Sequence, residues 1–131
     1  GFAGYNDVSA RDLQKRHSQW HLGKSLDGFG PMGPAITPTY GRPINDQLRL
    51  TCKVNGELRQ DATLSQLIFD IPTIIATLSA GITLKVGDVI ATGTPAGVGM
   101  GFTPMRFLAP GDEVEVALDG ILPLTNRLAL A

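Results

Sequence analysis

Leu48-Arg49-Leu50-Thr51-Cys52-Lys53-Val54-Asn55-Gly56-Glu57-Leu58-Arg59-Gln60 alternates apolar and polar side chains as far as an Asn-Gly pair and then turns back. Leu48, Leu50, Cys52 and Val54 fall on one side and Arg49, Thr51 and Lys53 on the other, the period-2 pattern of a half-buried strand. Asn55-Gly56 supplies the two residues that tolerate the positive φ of a type I′ turn. Residues 48–60 are therefore read as a β-hairpin, with Glu57 to Gln60 as its return arm. Cys52 points inward with Leu50 and Val54, so it reads as a core residue rather than a nucleophile.

Working outward, Val114, Val116 and Leu118 alternate in the same way up to Asp119-Gly120, and Leu124 to Leu130 can return as the partner strand. Asp88 to Thr92 reads as a buried strand, Gly1 to Tyr5 as an opening strand, and Ala35 to Thr37 as a brief strand between Pro34 and Pro38 in a stretch, 28–43, that is otherwise loop. A short helix is expected over Ala10 to His17, with Ser9 as its cap and Asp12 as the acidic partner. A second follows Asp70, where Ile71, Ile74, Ile75 and Leu78 make an apolar stripe, Pro72 sits in the first turn and Gly81 supplies the stop. The sum is an α+β fold, rich in antiparallel strands, with a helix packed over one face. The 16 Gly and 9 Pro of the 131 residues are scattered as punctuation and mark no linker, so residues 1–131 read as one domain. With no start methionine, an opening that reads as a strand already under way leads us to expect residues ahead of it.

Eleven Lys and Arg against twelve Asp and Glu leave a net charge of -1, which builds no basic field for nucleic acid or an anionic membrane. No apolar run reaches the roughly 18 residues of a membrane span, and no signal-peptide pattern opens the sequence. A single cysteine rules out an internal disulfide framework and fits a reducing compartment. A soluble, cytoplasmic protein is expected.

The densest polar cluster is Asn6-Asp7-Val8-Ser9-Ala10-Arg11-Asp12-Leu13-Gln14 at a strand-to-helix junction. Arg11 and Gln14, three apart, share a helix face, and Asp7 stands just ahead of it. Spacing alone leaves two readings open: Asp7 and Ser9 merely cap while Arg11 pairs with an acid, or the group lines a cleft. Lys24 in Gly23-Lys24-Ser25 suggests the tail of a phosphate loop, but Ser18 stands where its first glycine belongs. It is a solvated lysine or a partly buried one able to polarise a carbonyl. Gly93 to Gly101 follows the expected strand without dinucleotide spacing; its glycines serve either backbone geometry or close approach to a ligand, with Thr94 offering a hydroxyl. His17 and His21 have the spacing of paired helix ligands, but the basic run at 15–17 and Gly23 argue against zinc. No G-x-S-x-G elbow is present.

Taken in order, five stretches closely resemble the fumarylacetoacetate hydrolase family. They are Gly1-Phe2 with Asn6-Asp7-Val8-Ser9-Ala10-Arg11-Asp12-Leu13-Gln14, then Gln19-Trp20-x-Leu22-Gly23-Lys24-Ser25, then Val54 to Gln60, then Gly87 to Gly99, and Arg106-Phe107-Leu108-x-Pro110-Gly111-Asp112. The resemblance implies a β-rich roll that commonly dimerises and a Mg²⁺ or Mn²⁺ site, sometimes Ca²⁺, gripping the enolate end of a small oxo acid. It implies Asp7 as a metal ligand, Arg11, Gln14 and Lys24 beside the substrate oxyanion, and Thr94 in contact with substrate. The family's Glu-x-Glu metal pair and its His and Glu base lie upstream of the motif with which this chain opens, and neither is matched here.

The chain is accordingly expected to be the C-terminal portion of a metal-dependent hydrolase that cleaves a carbon-carbon bond in a 2,4-dioxo acid, in the breakdown of aromatic compounds, with the portion alone nearly inactive. The alternatives that the resemblance carries are an isomerase, decarboxylase, hydratase or oxaloacetate tautomerase. A noncatalytic remnant or oligomerisation module is a third reading.

Overall fold

The registers of three central strands explain why the remainder of the chain can pack. In the computed structural model, which describes residues 1–16, 18–40 and 44–129, β3 (Arg49–Val54) lies antiparallel between β4 (Glu57–Thr63) and β5 (Glu113–Leu118). Leu50, Cys52 and Val54 stand directly opposite Leu118, Val116 and Val114, and residues opposite one another share a face. That face forms the core: Val114 is 2% exposed, and Cys52, Val116 and Leu124 bury with it. Burial pushes the Cys52 thiol above its ordinary pKa despite the charge of Arg59 nearby, as expected of an inert core cysteine.

The opposite face carries charges in cross-strand pairs. Lys53 Nζ donates to Glu115 at 2.9 Å, Arg49 grips Asp61 through two bonds of 2.6 Å, and Arg127 reaches Glu113 at 3.1 Å. This division, apolar on one side and ionic on the other, is what strict alternation along an antiparallel sheet produces. β6 (Leu124–Arg127) completes the order β4-β3-β5-β6, with Leu124 opposite Val116.

The hairpin forms where expected, with Asn55 at φ 51° and Gly56 at φ 79°, the pair of positive angles a type I′ turn needs. Its return arm runs on to Thr63 and carries a bulge. Cys52 pairs with Gln60 but Lys53 with Leu58, so Arg59 is an extra residue in β4. The turn is clamped from β5: Asn55 Nδ2 donates to Asp112 at 2.8 Å, and Asn55 Oδ1 accepts from the Glu113 N–H at 2.9 Å.

A second, two-stranded sheet pairs β1 (Phe2–Tyr5) with β2 (Met32–Thr37). β2 begins three residues earlier than expected and runs through Pro34, which a strand with an unpaired edge tolerates because it needs no ladder hydrogen bond there. This sheet packs on β5 and β6 at Gly4, where an added Cβ would come within 3.1 Å of the Leu124 Cβ.

Two expectations fail. α3 (Ile71–Ser79) forms with the expected signals: Asp70 accepts from the Thr73 N–H at 2.8 Å, and Pro72 lies in the first turn. It does not, however, pack over a sheet face, for none of its residues is buried. Asp88 to Thr92 is not a buried strand; it has no ladder partner and Val89 is 56% exposed. Both errors share a cause: an apolar run becomes a buried element only where another surface meets it. Here the α3 stripe is only half-buried, at Ile71, Ile74 and Leu78, and the region also exposes Ile68, Phe69, Ile82 and Val86.

Val114→Ala should lower unfolding free energy by about 2 kcal/mol, because two methyl groups leave a closed site. Urea denaturation followed by circular dichroism reads this directly, and a change near zero would mean that the core lies elsewhere.

Candidate functional site

The polar cluster at the end of β1 is built by two short helices in contact, α1 (Arg11–Arg16) and α2 (His21–Lys24). Ala10 N–H donates to the Gly23 carbonyl at 2.9 Å. A Cβ on Gly23 would lie 2.9 Å from Ala10 O, Gln14 Cβ and Gln14 N, so only glycine lets the helices approach this closely. Ser9 is not the cap of α1: its hydroxyl donates to the Asp7 carbonyl at 3.1 Å. The first helical bond runs from Gln14 N to Ala10 O, so Ala10 holds the cap position and Ser9 is spent on the preceding turn.

Within this frame the predicted residues form two pairs. Arg11 donates to Gln14 Oε1 at 2.8 Å, and Gln14 is buried. Lys24 Nζ is bonded to Asp7 Oδ2, with the lysine side chain 24% and the aspartate 44% exposed. Lys24 is thus the partly buried lysine of the two readings, its stem covered and its ammonium held at the strand end. The two neighbouring helices thus each carry a cation with a fixed polar partner, Gln14 for Arg11 and Asp7 for Lys24.

Thr94 belongs to a different neighbourhood. Its Oγ1 accepts from Gln60 Nε2 at 2.8 Å, and it borders a cavity of about 300 Å³ with Leu50, Ala62, Phe69, Ile74 and Pro95. Among the described residues no hydrogen bond joins it to Asp7, Arg11, Gln14 or Lys24. Gln60 was missed by sequence reasoning, although it ends the hairpin stretch; a period-2 pattern says nothing of which loop a strand residue will meet. A second recess, about 600 Å³ between Asp46, Ser65 and Asp70, contains none of the five residues.

Two glycines of the loop serve backbone geometry. A Cβ on Gly97, at φ 105°, would run into the Arg59 carbonyl oxygen, and one on Gly99 into that of Arg106. The close approach is to the chain's own backbone. The loop is clamped by Phe102, whose ring lies 5.2 Å from the Arg59 guanidinium and 5.3 Å from that of Arg106. Glu57 takes Arg106 in two bonds of 2.7 Å. The Arg106 hydrogen bonds hold the Glu57 carboxyl below its ordinary pKa.

The described residues do not by themselves fit a Mg²⁺ or Mn²⁺ site. No three His, Cys, Asp or Glu among them come together, whereas a hard cation needs several oxygens, and Asp7 offers one carboxylate already held by Lys24. The sequence does contain a Glu-x-Glu, overlooked in reading it, at Glu113-Val114-Glu115. Both carboxylates lie on the ionic face of β5 and bind Arg127 and Lys53, so they form no metal pair. His17 of the rejected zinc pair lies outside the described residues, and His21 Nδ1 faces Ser25 Oγ at 3.3 Å. No helix among the described residues is long and apolar enough to cross a membrane.

Comparison with known proteins identifies the family and the fold. Residues 1–129 match the model of the fumarylacetoacetate (FAA) hydrolase C-terminal family, and the chain belongs to that family. It is 50% identical over 128 residues to the oxaloacetate tautomerase YisK of Bacillus subtilis, covering 98% of this chain and 42% of that protein. The fold superimposes on a fumarylacetoacetate hydrolase from psychrophilic Exiguobacterium antarcticum with a TM-score of 0.91 at 46% identity, over 97% of this chain and 46% of that one. A 2-hydroxyhepta-2,4-diene-1,7-dioate isomerase from Mycobacterium marinum gives 0.82 at 41% identity, over 95% and 46%. The chain therefore spans less than half the length of these relatives, and its α+β fold is that of the family's C-terminal domain. The family includes hydrolases as well as isomerases and tautomerases, and its members generally use a divalent metal.

Gly23→Ala should force α1 and α2 apart and cost about 1 to 3 kcal/mol of stability, measured by urea denaturation; an unchanged midpoint would show that the close approach is not needed. The lowered Glu57 pKa gives a pH test. A carboxyl depressed by folding stabilises the native state above its unfolded value, near 4.5, and that stabilisation is lost as pH falls below it. Glu57→Gln should therefore lower the thermal midpoint at pH 7 and converge with the parent protein on acidification; a pH-independent difference would separate the effect from this charge.

Proposed function

We propose that the intact protein carrying this chain catalyses proton transfer next to the carbonyl of a small 2-oxo acid, as a tautomerase or isomerase. The observation that carries this reading is the contact at Gly23 between α1, which bears Arg11, and α2, which ends at Lys24, with each cation held by a polar partner. Loss of a proton beside a ketone moves negative charge onto the carbonyl oxygen. Fixed cationic donors stabilise that enolate more than the neutral ketone, which is the differential binding that accelerates the step. Lys24 supplies the ammonium, released from Asp7 as the substrate oxygen takes its place. Arg11 supplies a guanidinium whose direction is set by buried Gln14, and the family resemblance, rather than a contact with these residues, assigns the Thr94 hydroxyl to the carboxylate end.

The 50% identity to an oxaloacetate tautomerase supports this choice over the expected carbon-carbon hydrolase. Either reaction needs a base, to take the proton beside the carbonyl and return it to the enolate oxygen in one case and to activate water in the other; none of the five site residues is placed for it, so we assign it to the part of the intact protein outside this chain. We infer Mg²⁺ or Mn²⁺ as the cation of the intact protein, with Asp7 as the ligand this chain contributes. The hydrolase remains the second reading, favoured by the likeness to the Exiguobacterium enzyme.

The intact protein with Mg²⁺ should speed the keto-enol exchange of oxaloacetate, followed by enol absorbance, without splitting acetylpyruvate into acetate and pyruvate. Lys24→Met should lower kcat/KM by about 100-fold or more with an unchanged circular dichroism spectrum. Cleavage of acetylpyruvate at comparable kcat/KM would replace the tautomerase reading with the hydrolase, and a wild-type rate for Lys24→Met would remove Lys24 from the site.

A further inference from the structure

Gln60 stands where the mechanism has no assigned role, yet both hydrogens of its amide nitrogen are committed. Nε2 donates to Thr94 Oγ1 at 2.8 Å and to the Pro95 carbonyl at 2.9 Å. The Pro95 carbonyl can only accept, which fixes the amide nitrogen, rather than its oxygen, towards this loop. An NH₂ group has two hydrogens and no lone pair to offer, so Thr94 Oγ1 must be the acceptor in the first bond. The threonine's own hydrogen is left free, and among the described residues it has no acceptor. Thr94 is exposed at the rim of the 300 Å³ cavity, so that hydrogen can turn towards a ligand.

The backbone shows how Gln60 comes to be there. The bulge at Arg59 resets the alternation of β4, so that Gln60 lies opposite Cys52 and Ala62 opposite Leu50, on the apolar face. Without the extra residue, Gln60 would project to the ionic face with Lys53 and Arg49. The loop meets the bulge itself, since Gly97 packs on the Arg59 carbonyl. The bulged strand therefore both aims Gln60 and seats the segment that carries Thr94.

We propose that Gln60 is a positioning residue that makes the Thr94 hydroxyl a hydrogen-bond donor to the carboxylate of a bound 2-oxo acid. The bond it donates occupies a lone pair of the hydroxyl, and the second bond to Pro95 prevents the amide from rotating away. A hydroxyl held in this way offers its hydrogen outward to an anionic oxygen without reorganisation when the ligand arrives. The proposal rests on the reading of Thr94 as a substrate-binding residue, and its test separates the two.

The test uses the intact protein with Mg²⁺ and titrates 3,3-dimethyl-2-oxobutanoate by calorimetry, a 2-oxo acid with no hydrogen to enolise, so that binding is read without turnover. Thr94→Val and Gln60→Met should each raise Kd by about 10-fold, the effect of one hydrogen bond to a charged oxygen. The double variant should be no weaker than Thr94→Val, because the glutamine acts through that hydroxyl. Oxaloacetate kinetics should show the same rise in KM with a much smaller change in kcat. Gln60→Glu, a second variant in case the methionine disturbs folding, presents a carboxylate that takes the hydroxyl hydrogen for itself. It should raise Kd further than methionine and recover as the introduced carboxyl protonates at lower pH.

A silent Gln60→Met beside a weakened Thr94→Val would overturn the proposal and leave the role of Thr94 intact, as would losses that add in the double variant. A silent Thr94→Val would overturn both. The expected Kd changes in a protein that turns over neither oxaloacetate nor acetylpyruvate would uphold Gln60 and reject the proposed activity.

Discussion

The pairing of β3 with β5 is the constraint on which the other elements depend. Once Cys52 stands opposite Val116 and Val54 opposite Val114, one face of the sheet is apolar and the other is left for ion pairs. A one-residue slip of β3 would turn Leu50, Cys52 and Val54 away from the core and bring Lys53 inward without Glu115. The bulge at Arg59 is compatible with this register because it lies on β4, the outer strand, where it re-aims Gln60 and leaves the β3 to β5 ladder unbroken.

The candidate site is a consequence of what that sheet supports. β1 is seated on β5 and β6 at Gly4, and the chain leaves β1 directly into Asn6 and Asp7. Asp7 is thereby fixed relative to the core before either short helix begins. Neither α1 nor α2 is long enough to be stable alone, and what holds them is tertiary: the backbone bond from Ala10 to Gly23 and the close packing that glycine allows. The ionic bond of Lys24 to Asp7 then ties the end of α2 back to the end of β1. A partly exposed pair of this kind adds little stability, so what it fixes is the position of the ammonium at the end of β1.

Much of the molecule was legible in sequence because it rests on near neighbours. The Asn55-Gly56 turn, the strands on either side of it, the alternation of Val114, Val116 and Leu118, and the Asp70 cap all depend on side chains within a few residues of one another. The cluster from Asp7 to Gln14 was visible for the same reason, and the ordered motifs supplied the roles that spacing alone left open. What failed required knowledge of distant surfaces. Asp88 to Thr92 has the composition of a buried strand but meets no strand edge, and α3 has an apolar stripe that is only half-buried. Glu113-Val114-Glu115 has the form of a metal pair, yet its carboxylates are opposite Lys53 and near Arg127 across the sheet.

Sequence by itself thus determined the local periods, the turn and cap chemistry, the absence of a basic field and the identity of the polar residues at the end of β1, since each is a property of the residue types and their spacing. Tertiary structure alone decided that Lys24 would bind Asp7, that Gly23 would let two helices touch, that Gly97 would approach a strand rather than a ligand, and that Gln60 would meet Thr94. Those contacts join residues up to 38 positions apart, and such a contact depends on how the sheet twists, bulges and packs, which no local pattern encodes.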